Sequence, residues 1–397
     1  MSYKRLGDCI KRVSIKNSDG LVDILYGINI DKFFMPSVAN VIGTDLSRYK
    51  VVTKNQFACN RMHVGRDKRL PISLSLKNYD FIVSPAYDVF EITDTDIISS
   101  EYLMMWFTRE EFDRNCWFHT DSDVRGKLDW DAFMDMELPV PSLEKQQQIV
   151  AEYNTVTKRI QLNEKINTNL EATAQALYKH WFVDFEFPNA ENKPYKSSGG
   201  QMVYNEELDK DIPVGWGVET VGDVIQVNNS NRIPIAKDER VKIKGIYPYY
   251  GAAALMDFIN DYKFDGRYIL LGEDGSVINQ DRSPVLQYVW GKFWVNNHAH
   301  VLSGANNNST EYINMFLKNL DVSGIITGGV QSKINQSNLK SLKVLKKSDL
   351  LVKLYSKLID SMFEQIRNNS HKSKILQELQ SLLLAKMTKI EVEKEMV

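Results

Sequence analysis

Apolar positions along this chain fall into two rhythms. From about Leu143 to Phe182 they recur in steps of four and three: Ile149, Tyr153, Val156, Ile160, then Leu170, Ala174, Leu177 and Trp181. Asn163 and Asn167 fill the positions between the two groups. From about Ser348 to Ile390 the rhythm returns through Leu351, Tyr355, Leu358 and Met362, then Gln365 and Asn369, then Leu376, Leu379 and Leu383. Alternating steps of three and four keep one narrow stripe of a helix against a partner helix. The spacing therefore predicts two long helices, each apolar at both ends of its stripe and polar in the middle. Pro139 and Pro141 precede the first, and Ser142 stands where it can cap it. A helix of ~40 residues spans ~60 Å. It does not hold that length alone in water, so each stripe needs a partner, either the other helix or a neighbouring globule.

Elsewhere the pattern is shorter and mixed. Val51-Val52, Phe81–Val83, Tyr268–Leu271 and Gln287–Trp290 read as short buried strands, and Ser100–Phe112 and Thr310–Leu320 as short amphipathic helices. These blocks repeat. Leu6-Gly7-Asp8-Cys9-Ile10 is echoed by Val221-Gly222-Asp223-Val224-Ile225, an offset of 215 residues from Gly7 to Gly222. Lys127-Leu128-Asp129, followed by Phe133, Met136 and Leu138, is echoed by Lys333-Ile334-Asn335, followed by Leu339, Leu342 and Val344, an offset of 206 from Lys127 to Lys333. The order is globule, helix, globule, helix, with the first globule about nine residues longer. The turn formers of Pro188–Gly200 read as a linker or extended surface loop. The expected boundaries are 1–142 and 216–347 for the globules, 143–185 and 348–397 for the helices with the tail, and 186–215 for the linker.

At 397 residues the chain exceeds one compact core, and 43% hydrophobic with 25% charged residues excludes wholesale disorder. No apolar run reaches the ~18–20 residues that span a bilayer. Nothing at the start reads as a secretory signal. Three widely spaced cysteines, Cys9, Cys59 and Cys116, suit reduced thiols in a cytoplasm. The net charge of −2 leaves no global basic footprint, so any nucleic-acid contact must be local. Two basic runs exist, one per globule. Lys54, Arg61, Arg66, Lys68 and Arg69 stand against Asp67; Arg232, Lys237, Arg240, Lys242 and Lys244 stand against Asp238 and Glu239. Solvated loops have the same composition. Asn279, Gln280, Arg282, Asn296 and Asn297 are side chains of the kind that pair with base edges.

Several stretches resemble type I restriction–modification specificity subunits. Leu138-Pro-Val-Pro-Ser-Leu-Glu-Lys-Gln-Gln-Gln-Ile-Val150 is similar to the segment leading out of their target-recognition domains. Ala176-Leu-Tyr-Lys-His-Trp-Phe-Val-Asp-Phe185 is similar to the end of their central conserved helix, and Ile212–Asp223 to the start of the second recognition domain. Pro248-Tyr249-Tyr250-Gly251, Gly272–Gly275 and Phe293–His300 resemble stretches inside such domains. The resemblance implies an α+β architecture: two α/β target-recognition domains separated by two long helices that form an antiparallel coiled coil, a pseudo-twofold internal repeat. It also implies a division of labour. The chain reads double-stranded DNA, with Tyr249 and Tyr250 added to the candidate contacts, and carries no cofactor. Two methylation subunits bring S-adenosylmethionine. Restriction–motor subunits bring ATP and Mg. No membrane is involved.

Catalytic patterns are missing from the sequence. No Asn/Asp-Pro-Pro-Tyr/Phe loop of adenine methyltransferases occurs, and Gly328–Lys333 lacks the spacing of a phosphate loop. Glu273 and Asp274 between glycines read as a turn rather than a metal site, and His298 and His300 as two residues on one strand face, too few for a metal. The rival readings are a coiled-coil adaptor that binds protein only and a stand-alone DNA methyltransferase.

Overall fold

A computed structural model describes residues 2–37, 43–120, 126–329 and 331–387. The chain divides into two compact units, Met1–Asn163 with His371–Val397 and Glu164–Ser370. Each contains one globule and a segment of both long helices.

In the first unit, strand Ser2–Arg5 pairs antiparallel with Glu137–Val140, Ser2 opposite Val140. The turn of helix Leu6–Cys9 follows, with Leu6 donating its N–H to the Met136 carbonyl at 2.8 Å. A four-stranded antiparallel sheet runs in the order Ile10–Val13, Asp88–Ile92, Phe57–Cys59, Ile72–Leu74. Its core is aromatic, with Phe57 stacked on Phe90 at 5.1 Å and Phe107 and Phe133 packed around them. The predicted strands at Val51 and Phe81 pair with each other in a small separate sheet. The helix predicted over Ser100–Phe112 is two helices, Ser100–Phe107 and Glu110–Phe118. Thr108 lies at the break, its hydroxyl bonded to the Met105 carbonyl at 2.7 Å in competition with the helix ladder.

The second unit keeps this frame. Gly217–Thr220 pairs with Lys343–Lys346, Gly217 opposite Lys346, and Val221 donates its N–H to the Leu342 carbonyl at 2.9 Å. The structural offsets, Ser2 to Gly217 and Val140 to Lys346, equal the 215 and 206 of the sequence repeat. Gly7 and Gly222 stand at matched close approaches, where a Cβ would lie 3.3 Å from the Met134 carbonyl oxygen at Gly7 and 3.1 Å from the Lys340 carbonyl oxygen at Gly222, tight enough to push the neighbour by a few tenths of an ångström. In the second echo, Leu128 and Ile334 are buried, and Asp129 and Asn335 cap the helices Trp130–Met134 and Gln336–Ser341. Inside the frame stands a six-stranded sheet in the order Ile225–Val227, Ala299–Gly304, Phe264–Gly272, Leu286–Val295, Lys244–Tyr250, Leu255–Ile259. The predicted strands at Tyr268 and Gln287 are its two central, antiparallel partners. Pro188–Gly200 is a series of hydrogen-bonded turns, with Tyr195 stacked on Phe187 at 4.6 Å.

The long helices run Leu143–Tyr178, ending in a π-helical turn over Lys179–Val183, and Asp349–Lys386. Ile390 and the tail lie outside the described residues. Ser142 accepts the Lys145 N–H at 3.4 Å. Within the first unit Gln380 donates to the Thr157 hydroxyl at 2.7 Å and Asn163 to the Ser373 hydroxyl at 3.2 Å, an antiparallel pairing. Within the second, Asn369 donates to Asn167 Oδ1 at 3.0 Å, Asn167 to the Ser370 hydroxyl at 3.2 Å, and Tyr355 to the Ala174 carbonyl at 2.7 Å, antiparallel again. Val156, Ile160, Ala174 and Tyr355 are buried; Ile149, Tyr153, Leu170, Leu177, Leu351, Met362, Leu376 and Leu383 are half-buried.

Three expected seam positions are corrected: Leu358, Gln365 and Leu379 are exposed. Ile359 and Ile366 are buried instead, and Gln365 bonds along its own helix to Asn369 Oδ1 at 2.7 Å. For Leu358 and Gln365 the cause is a second partner. Val352, Tyr355, Ile359, Phe363 and Ile366 also join the core of their own globule, so the buried stripe is broader than a coiled-coil seam. The same face carries a buried charge. Glu311, on helix Thr310–Leu317, accepts from Arg267 at 2.8 Å, Arg367 at 3.0 Å and the Tyr288 hydroxyl at 2.7 Å.

Candidate nucleic-acid interface

The basic run of the first globule divides into anchors and outward-facing groups. Arg61, expected at DNA, is buried. Its Nε donates to Asp88 Oδ2 at 2.6 Å and its guanidinium also reaches the Leu128 carbonyl. Asp88 heads a central strand and is held by two cations, Arg61 on one oxygen and Arg12 on the other at 2.8 Å, so the buried guanidinium of Arg61 serves the fold. Lys54 is exposed and donates to Asn78 at 2.8 Å. Arg66 holds Asp67 through two bonds of 2.7 Å. Arg69 reaches Asp31 at 3.0 Å and lies 3.5 Å from Asp113. Lys68 is exposed, has left-handed backbone (φ 55°), and stands 4.7 Å over the Trp117 ring.

The second globule divides the same way. Arg240 is buried against Asp257 at 3.3 Å and the Ile235 carbonyl at 2.6 Å, over the ring of Tyr249. Tyr249 is itself buried, its hydroxyl accepting the Ile235 N–H at 3.0 Å. Asn296 is buried and caps the next turn through the His298 N–H at 2.9 Å. Arg232 braces Glu273 and the Ala299 carbonyl, the latter at 2.8 Å. These four are corrections to the expected contacts: each satisfies polar groups inside its own globule. Tyr250 is half-buried against Phe293. Lys244 is exposed but bonded to Asp257. Asn279 is exposed and bonds the Ser283 hydroxyl at 3.1 Å within its turn. Arg282 faces Asp321 at 3.6 Å. Lys237, Lys242, Gln280 and the side chain of Asn297 stay exposed without a protein partner among the described residues.

His298 and His300 do not share a face. His298 precedes the strand and faces Asp274 at 2.6 Å. His300 is buried between the Ile334 carbonyl at 2.7 Å and Asn229 at 2.9 Å, and burial lowers its pKa, favouring the neutral ring. Among the described residues, no group of three His, Cys, Asp or Glu is arranged to hold a metal, and no helix is long and apolar enough to cross a membrane. Val330, inside the phosphate-loop-like run, lies outside the described residues. Sequence reasoning missed the exposed rings of Phe33, Trp117 and Phe118. Two adjacent aromatics closing a helix, Trp117-Phe118, were the available signal.

Two α/β units in matching frames, with a shared strand order and paired segments of two long helices, define a duplicated modular protein. Residues 72–172 and 213–345, more than half of the chain, match the family described as the type I restriction modification DNA specificity domain, and the chain belongs to that family. It is 26% identical over 316 residues to the type I restriction enzyme MjaIX specificity subunit of Methanocaldococcus jannaschii, covering 75% of this chain and 70% of that one. It is 28% identical over 182 residues to the HindI specificity subunit of Haemophilus influenzae, covering 45% of this chain and 38% of that one. The crystal structure of the type I restriction–modification S subunit from M. genitalium superposes with a TM-score of 0.53 at 11% identity, covering 97% of this chain and 95% of that one, and so shares its fold.

Proposed function

We propose that the chain is the sequence-specific DNA-recognition subunit of a type I restriction–modification complex, with each globule reading one half of a bipartite site. The observation that carries this is the duplicated frame and strand order, with two added strands and different surface side chains in the second unit. Two similar mounts with different surfaces suit two unequal half-sites separated by unread bases. The long helices dock two methylation subunits and the restriction–motor subunits. S-adenosylmethionine, ATP and Mg act on those partners, in the cytoplasm, and this chain transfers nothing itself.

The test is methyl transfer. Purified chain with DNA and labelled S-adenosylmethionine yields no labelled DNA, while the chain assembled with its methylation subunits labels adenines in two short motifs at fixed spacing. Robust transfer by the chain alone would establish a stand-alone methyltransferase. Assembly without any DNA preference would establish a protein adaptor.

A further inference from the structure

We infer that a buried Lys32–Asp113 ion pair in the first unit builds a DNA-reading surface from Lys68, Trp117, Phe118 and Phe33, whose rings set the base preference at that unit's half-site. The inference rests on the recognition role above and adds the residues that perform it. Asp113 Oδ1 accepts from Lys32 Nζ at 2.8 Å and from the Leu70 N–H at 3.0 Å; its other oxygen lies 3.5 Å from Arg69. Lys32 also donates to the Phe107 carbonyl and lies 5.1 Å from the centre of the Phe112 ring. Lys32 is 6% exposed and Asp113 5%. One carboxylate thus ties three segments together: the hairpin tip at Asn29–Phe33, the stretch Lys68–Leu70, and helix Glu110–Phe118.

Each tied segment turns something outward. Phe33, next to Lys32, is 51% exposed; Trp117 and Phe118, at the helix end, are 45% and 81% exposed. Lys68 stands over Trp117 and has no acidic partner among the described residues, whereas Arg66 and Arg69 are paired with Asp67 and Asp31. Among the described residues, the cation of the patch without an acidic partner is therefore the one stacked on an exposed ring. Desolvating two charges costs free energy that an apolar pair would not, and what the pair supplies is fixed geometry. Rings beside an unpaired cation suit wedging against or stacking on bases while the cation meets the phosphate backbone. The occupant is double-stranded DNA.

The experiment uses the chain assembled with its methylation subunits and carrying Lys68→Ala, Trp117→Ala or Phe118→Ala. Binding is read on the cognate site and on sites altered in either half. Trp117→Ala and Phe118→Ala each weaken cognate binding about tenfold. Trp117→Ala and Phe118→Ala lose discrimination at one half-site only, whereas Lys68→Ala weakens binding to all sites alike and flattens its salt dependence, with the thermal unfolding midpoint unchanged in all three. Lys32→Met with Asp113→Leu, which keeps the interior filled, also reduces that discrimination. Cognate binding and discrimination equal to wild type in the three surface variants would overturn the inference while leaving the recognition role intact. So would loss of assembly with discrimination unchanged in the complexes that do form, which would mark a protein-docking face. A wild-type complex with no sequence preference overturns the recognition role, and this inference with it.

Discussion

In the first unit the strand pair Ser2–Arg5 and Glu137–Val140 encloses a four-stranded sheet; in the second, Gly217–Thr220 and Lys343–Lys346 enclose a six-stranded one. The frames agree residue for residue, down to the glycine that lets a helix approach and the Asp or Asn that caps it. The second sheet adds Lys244–Tyr250 and Leu255–Ile259, but the interiors share one antiparallel strand order, Ile10–Val13, Asp88–Ile92, Phe57–Cys59, Ile72–Leu74 answering to Ile225–Val227, Ala299–Gly304, Phe264–Gly272, Leu286–Val295. They also share a capped helix, Ser99 before Ser100–Phe107 and Ser309 before Thr310–Leu317. Even there the chemistry diverges: Glu101 is exposed and Glu311 is wholly buried among two arginines and a tyrosine. What repeats is the mounting, and what varies is the surface mounted.

The largest test of that division is an exchange. Replacing about Leu6–Leu138 by the equivalent block of another specificity subunit should change one half of the methylated motif completely and leave the other half untouched. A change in both halves, or in neither, would end the modular account. Next in size is the buried carboxylate. Glu311→Gln leaves Arg267 and Arg367 without their counter-charge and should cost about 3 kcal/mol in urea unfolding. Its counterpart Glu101→Gln should stay within about 0.5 kcal/mol. Equal effects would show that the two capped helices are held alike. The smallest difference concerns the helix amides. Asn167 exchanges bonds with Asn369 and Ser370, while Asn163 bonds Ser373. Asn167→Leu should therefore cost more than Asn163→Leu, each within about 1–3 kcal/mol, and Asn167→Leu with Asn369→Leu should recover part of the loss. Identical costs would mean that the polar centre contributes no more in one unit than in the other.

Much of the frame was legible in the sequence because it depends on local rules. Glycine at a close approach, a cap before a helix, and stripes with alternating steps each leave a mark at fixed spacing. Asn167 and Asn369, which bond each other in the structure, stood out in the same pattern as polar middle positions. Ser370 and Ser373 escaped notice because serine has no place in an apolar rhythm. Leu358 and Gln365 were misplaced because the second helix serves two partners, and a stripe turned toward a globule drifts from the seven-residue repeat. Cations were the least legible. Arg61 and Arg240 look like DNA contacts in any count of charges, yet Asp88 and Asp257, 27 and 17 positions further along, draw them inward. Composition records that a guanidinium is present, and only the tertiary partner decides which way it points.

The paired strands that open and close each globule have an evolutionary consequence. The chain enters and leaves a block through neighbouring positions on one antiparallel ladder, so the block hangs from its support as an inserted cassette does. Recombination between related genes at the codons for Ser2–Arg5 and Glu137–Val140, or Gly217–Thr220 and Lys343–Lys346, would cut the lineage where backbone bonds rather than side chains hold the join. Such crossovers can deliver a new specificity in one event while the helices descend unchanged.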